Sequence, residues 1–177
     1  VKVWLRKYTP AEHWHADKLR AYDTFGALTK HFETDANTFL KQLLSQSVMV
    51  ESNYHAMAQE LKAFRKIKHD EYLAGITFSD FKAFEVILPE LPDDSQLQIS
   101  NSSAIRYLQL FDINPSIEVF CNRGTSGIDG STSTAVGAAV ASQKETVLIT
   151  GDISFLYDSN GLWNNYIPDD FKIIVLN

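Results

Sequence analysis

From residue 96 onward, short apolar runs alternate with polar or glycine-rich turns and helical stretches. Leu97-Gln98-Ile99 and residues 118–121, 146–150 and 172–176 read as strands, with helices near 103–111 and 131–142 between them. Strand alternating with helix predicts an α/β fold, a mainly parallel sheet with helices on both faces, whose ligands gather at the carboxyl ends of the strands. Before residue 96 the rhythm is helical. Asp35 stands as a cap before the run Thr38 to Leu44, and a longer helix over 53–73 carries Tyr54, Met57, Leu61 and Phe64 as an apolar stripe, expected to be core packing. Ser79 opens a further helix through Phe81, Phe84 and Leu88, which Pro89 and Pro92 end before the turn Pro92-Asp93-Asp94-Ser95. Residues 1–34, aromatic- and histidine-rich and broken by Pro10 and Gly26, predict loops with short strands.

Composition narrows the partners. With 177 residues, 45% of them apolar, the chain can bury an ordinary core. A formal charge of −6 leaves no basic excess for nucleic-acid phosphates, which favours small-molecule partners. Cys121 is the single cysteine, which excludes an internal disulfide framework and a multi-thiolate zinc site and fits a reducing cytoplasm. No apolar run approaches the roughly 20 residues of a membrane span. The five histidines show no metal-site spacing and read as structural or exposed, and Cys121 has no obvious activating base. Val1 in place of a start methionine, and an apolar run closing on Asn177 without turn or cap, read as an excised part of a longer protein.

The sharpest chemistry is Thr150-Gly151-Asp152-Ile153-Ser154, directly after a strand. Glycine admits close approach of a ligand, aspartate ligates hard cations, and the amides that follow can hold diphosphate oxygens. Asn177 stands 25 positions beyond Asp152, a spacing that suits a strand, helix, strand unit and would bring both side chains to one Mg²⁺ on neighbouring strand ends. Two other strand ends carry polar groups. Asn122-Arg123-Gly124-Thr125-Ser126-Gly127-Ile128-Asp129-Gly130 is a tight connection leading into a helix of small residues, and Asn101-Ser102-Ser103-Ala104-Ile105-Arg106 places Ser102 and Arg106 one helical turn apart. From residues alone, Ser102 is equally a helix cap, Arg106 a solvated side chain, Arg123 a surface ion pair and Ile128 a core isoleucine.

These segments resemble a known family. Asn122 to Gly130, and Gly151-Asp152-Ile153-Ser154-Phe155-Leu156-Tyr157-Asp158-Ser159-Asn160-Gly161-Leu162, closely resemble the MenD family, the menaquinone-pathway synthases of 2-succinyl-5-enolpyruvyl-6-hydroxy-3-cyclohexene-1-carboxylate. The first half is less diagnostic, although Tyr22 to Gly26 and His31 to Asp35 look like the family's connector. The resemblance implies thiamine diphosphate with Mg²⁺ (or Mn²⁺), decarboxylation of 2-oxoglutarate and addition to isochorismate. It implies cofactor contacts from Ser126, Gly127, Ile128, Gly151, Asp152, Ile153 and Ser154, with Asp152 the metal ligand and Ile128 the apolar wedge that keeps the cofactor bent. Asn101, Ser102, Arg106 and Arg123 would hold the acidic substrates. It divides the chain into the end of a middle domain with a helical connector (1–95) and a diphosphate-binding domain (96–177) truncated on its carboxyl side. The activating glutamate is expected outside this sequence, so no catalytic residue is assigned here and the chain alone is expected to be inactive. A homodimer or homotetramer of the longer parent is implied as well. The alternatives are another thiamine-diphosphate lyase, of acetolactate synthase or 2-oxoacid decarboxylase type, and a non-catalytic nucleotide-binding module.

Overall fold

The computed structural model describes residues 2–177, which form two compact units divided between Ala58 and Gln59. In the first unit, α1 (Lys2–Lys7) is followed by two three-residue parallel strands, β1 (Trp14–Ala16) and β2 (Lys30–Phe32), and by α2 (Ala36–Gln46). The short strands match expectation, whereas α1 falls where loops were predicted. Lys2–Lys7 contains neither glycine nor proline and stops before Pro10, so local propensity permits the turn and a half of helix. Asp35 caps α2 as predicted, its carboxylate accepting from the Thr38 amide at 2.9 Å and the Thr38 hydroxyl at 2.8 Å.

α3 (Tyr54–Gly75) begins in the first unit and lies mostly in the second. Its apolar stripe is not core: Tyr54, Met57, Leu61 and Phe64 are all more than half exposed, and Leu73 is the helix's one buried residue. Periodicity reports that a face is apolar, not what covers it, and nothing among the described residues covers this one. α4 (Asp80–Ile87) is capped by Ser79, whose hydroxyl accepts from the Lys82 amide at 3.3 Å, and ends in a 3₁₀ turn containing Pro89. Lys82 Nζ donates to the Leu73 carbonyl at 2.6 Å, fastening α4 to the end of α3.

The rest of the second unit alternates as the rhythm predicts: β3 (Gln96–Ile99), α5 (Ser103–Leu108), β4 (Glu118–Cys121), α6 (Ser131–Ser142), β5 (Thr146–Gly151), α7 (Asp152–Tyr157) and β6 (Phe171–Leu176). The four strands form one wholly parallel sheet in the order β4-β3-β5-β6. Side chains alternate across it. Leu97, Ile99, Val147, Ile149, Ile174 and Leu176 share one apolar cluster with Phe84, Leu88, Ala104, Ile105 and Leu108 of α4, α5 and the turn after α4. α6 is absent from that cluster yet packs on β3 and β5, so it covers the opposite face, where Gln96, Gln98, Thr146, Leu148 and Thr150 are buried. The α/β reading with helices on both faces therefore holds.

The strand order decides where a ligand can sit. The chain leaves β3 toward β4 and then crosses back to the far side of β3, so right-handed crossovers put α5 and α6 on opposite faces. The connections after β3 and β5 thus diverge and leave a crevice outside the carboxyl ends of these two strands.

Candidate functional site at the strand ends

The three segments assigned candidate cofactor, metal or substrate contacts from the sequence, 101–106, 122–130 and 150–154, lie at or just past the carboxyl ends of β3, β4 and β5 at this edge of the sheet. Asp152 directly follows β5 as the first residue of α7; it is exposed, and no hydrogen bond or ion pair engages its carboxylate among the described residues. Gly151 pairs with Leu176 in the β5–β6 register, so Asn177 lies one residue beyond that pair just as Asp152 does. The strand, helix, strand unit inferred from the 25-position spacing is present, with the two candidate metal-facing residues on adjacent strand ends.

Gly151 has an extended backbone (φ −80°, ψ 158°), and a Cβ there would meet nothing within 4 Å. No part of the chain's own packing requires a glycine at 151. Its amide donates to Ser100 Oγ at 3.3 Å, linking the ends of β5 and β3.

A hydrogen-bond hub joins β3 to the glycine-rich loop. Asn101, only 3% exposed, donates from Nδ2 to the carbonyls of Asn122 (2.7 Å) and Gly127 (2.6 Å), while its Oδ1 accepts from Arg123 Nη1 (2.9 Å) and more weakly from Cys121 Sγ (3.6 Å). Its amide is fully used in holding the loop. Arg123 is otherwise exposed and takes part in no ion pair among the described residues, so one edge of its guanidinium is fixed and the rest faces outward. Asn122 Nδ2 in turn donates to Gly130 O at 3.1 Å and Thr134 Oγ1 at 2.9 Å, tying the loop to the start of α6.

Ile128 is half-buried rather than a core residue, and its carbonyl accepts from Ser154 Oγ at 2.6 Å. The two sequence motifs are thereby in direct contact. Ser126 is exposed with φ +60°, and Ser102 has φ +72° and ψ −131°, a backbone region L-residues avoid. Two of the four described non-glycine residues with positive φ thus belong to the candidate site, where such strain tends to collect. Ser102 makes no side-chain capping bond to α5, which sets aside the helix-cap reading. Ser102 directly follows Asn101 and Arg106 lies on α5, both exposed, and neither side chain hydrogen-bonds to the Asn101 carboxamide. Ile153 is 55% exposed, whereas Ser154 is buried.

Sequence reasoning missed Ser100, Asn122, Ser133 and Asp158, whose roles arise from partners far along the chain. Among the described residues no three His, Cys, Asp or Glu side chains gather as a metal cage. A groove of about 1380 Å³ runs along α3, α4 and α5 and shares no residue with the strand-end group. Burial pushes the Cys121 thiol above its ordinary value, against the pull of nearby Arg123. No described helix is long and apolar enough to cross a membrane.

No protein-family model matches the chain. Over its full 177 residues it is 69% identical to the 2-succinyl-5-enolpyruvyl-6-hydroxy-3-cyclohexene-1-carboxylate synthase of Flavobacterium psychrophilum and 64% identical to that of Flavobacterium johnsoniae. It is 51% identical, again over 177 residues, to the synthase of the same name from Christiangramia forsetii. The chain is matched in full each time and spans 32%, 32% and 31% of these relatives. By sequence, then, the chain is similar along its whole length to a stretch about a third of the length of these 2-succinyl-5-enolpyruvyl-6-hydroxy-3-cyclohexene-1-carboxylate synthases.

Proposed function

We propose that this chain supplies the diphosphate- and metal-binding half of the cofactor site in a thiamine-diphosphate-dependent synthase that decarboxylates 2-oxoglutarate and adds the succinyl unit to isochorismate. The observation that carries the reading is the unpartnered Asp152 carboxylate at the β3/β5 crevice, with Asn177 next to it in register. An aspartate and a nearby amide oxygen are the hard donors Mg²⁺ or Mn²⁺ takes, and a glycine with open space before them leaves room for a diphosphate. The residues therefore fit the group.

When bound, thiamine diphosphate supplies a nucleophilic carbon and an electron sink for decarboxylation. The chain's own contributions are positional and electrostatic. Asp152 ligates the metal, the 151–154 and 126–128 segments surround the diphosphate, and Ile128, held through its carbonyl, presents an apolar side chain that keeps the cofactor bent. Arg123, with Ser102 and Arg106 further along the same edge, meets substrate carboxylates, for which a guanidinium fork is well shaped. Asn101 serves the substrate through Arg123, because its own carboxamide is occupied. The reading also takes residues 1–95 as connector and 96–177 as the diphosphate-binding domain, and a cytoplasmic homodimer or homotetramer as the longer parent. The activating glutamate comes from outside this chain.

The test uses full-length enzyme carrying this sequence, with Mg²⁺, thiamine diphosphate, 2-oxoglutarate and isochorismate. Release of CO₂ with formation of the succinylated adduct is the expected result. Failure to form the adduct, or equal use of pyruvate, would reject the reading in favour of another lyase.

A further inference from the structure

We propose that Ser154 and Asp158 are positioning residues that together fix the separation between Asp152 and Ile128, a role that rests on the cofactor reading above. The two stand four apart, Ser154 as the third residue of the short helix that Asp152 begins and Asp158 directly past its last residue. They are the buried polar residues of this segment, at 4% and 7% exposure, while Ile153, Leu156 and Tyr157 are more than half exposed. Both reach the same stretch of chain. Ser154 Oγ donates to the Ile128 carbonyl at 2.6 Å, and Asp158 Oδ2 accepts from the Ser133 amide at 2.7 Å and the Ser133 hydroxyl at 3.0 Å.

Asp158 is a buried carboxylate with no Lys, Arg or His partner among the described residues. Its charge is met by the Ser133 donors and by the amino end of the twelve-residue α6, whose third residue is Ser133. The turn that follows is packed onto the same spot: Gly161 N donates to the Asp158 carbonyl at 3.0 Å, and a Cβ at 161 would lie 2.9 Å from Ser133 N. Residues 128–133 are thus held at both ends by the segment that starts with Asp152. Sliding either segment would break the Ser154 bond and strand a buried charge, so the distance from metal ligand to wedge is set by this brace.

A role confined to folding would lower stability without depending on Ile128. The experiment is a double-mutant cycle in the full-length enzyme, pairing Asp158→Asn or Ser154→Ala with Ile128→Ala. Each brace variant should lower kcat by about tenfold, on the scale of one buried hydrogen bond lost with its partner left unsatisfied, while the Kd for thiamine diphosphate with Mg²⁺ moves by less than about threefold. Added to Ile128→Ala, neither should slow turnover by more than about twofold further. In cofactor-free enzyme, amide hydrogen exchange over 128–133 should quicken by about tenfold in the Asp158→Asn variant and stay unchanged over β5. Losses that multiply with Ile128→Ala, cofactor affinity falling as far as kcat, or unaltered exchange over 128–133 would each overturn the proposal. Should Asp158→Asn fail to fold, Ser154→Ala, which removes one hydroxyl, carries the same cycle and the same exchange measurement. Wild-type enzyme that binds no thiamine diphosphate would overturn the cofactor reading and this role with it; wild-type turnover with multiplying losses would overturn the role alone.

Discussion

Replacing Asp152 with alanine separates the metal site from the fold. The carboxylate is exposed, opens α7 and engages no partner among the described residues, so its removal deletes no buried contact. What stability loses is the attraction of a carboxylate for a helix amino end, about 0.3–1 kcal/mol at low ionic strength. For a large enzyme that amounts to a drop in Tm of no more than about 4 °C. The metal behaves differently. Loss of a group that merely orients a metal ligand lowers metal affinity by about 10- to 100-fold, and loss of a direct ligand must exceed that, so Mg²⁺-dependent affinity for thiamine diphosphate should fall by more than about 100-fold. Calorimetric titration of the full-length variant at fixed Mg²⁺, beside a thermal melt, reads both quantities. Mg²⁺-dependent affinity kept within about tenfold of wild type would refute the ligand assignment, because a protein ligand to the metal contributes more than that. A large fall in Tm would refute the structural half, showing that the carboxylate supports the fold.

Arg123→Gln and Arg106→Gln should each raise KM for the acidic substrates by roughly 10- to 150-fold, the range of one charge-assisted contact, with cofactor affinity unchanged; equal loss of cofactor affinity would show that these arginines serve the diphosphate. Ile128→Ala should leave cofactor bound but lower kcat, and unchanged turnover would reduce Ile128 to a packing residue. Burial holds the Cys121 thiol above its ordinary value, so it stays protonated at neutral pH and should react with iodoacetamide more slowly than free cysteine at pH 8. Equal or faster alkylation would contradict that environment.

Legibility in this chain followed locality. The four parallel strands and α6 were readable because each is a short apolar run or a small-residue helix bounded by its own turn residues, and the caps at Asp35 and Ser79 because their partners lie three positions away. The edge on which the site lies followed from strand-helix alternation. The bonds that make it a site did not: Asn101 reaches residues 122 and 127, Ser154 reaches 128 and Asp158 reaches 133, and no periodic pattern encodes a hydrogen bond across more than 20 positions. Ser102 shows a different failure. A serine before a helix ordinarily caps it, but here the backbone is turned to positive φ and the hydroxyl makes no capping bond, a departure from propensity that residue type alone does not signal. The α3 stripe failed for a third reason, since amphipathic spacing is the same whether the covering surface lies within this chain or outside it.

The strand order also shapes how the chain is made. Synthesis proceeds from the amino end, so β3 emerges well before either neighbour and pairs first with β4, starting at Gln96↔Glu118. Its other edge, the one that will face β5 from Gln96↔Thr146 onward, waits until α6 and β5 have left the ribosome. Throughout that interval a strand with one apolar face, Leu97 and Ile99, presents unpaired amides and carbonyls, a template for strand addition from another chain. The topology that opens a crevice between β3 and β5 in the finished protein is therefore the one that leaves its central strand open longest, and parallel pairing across such separations closes slowly. Chaperone dependence during synthesis, rather than low stability afterwards, is where this arrangement should be felt.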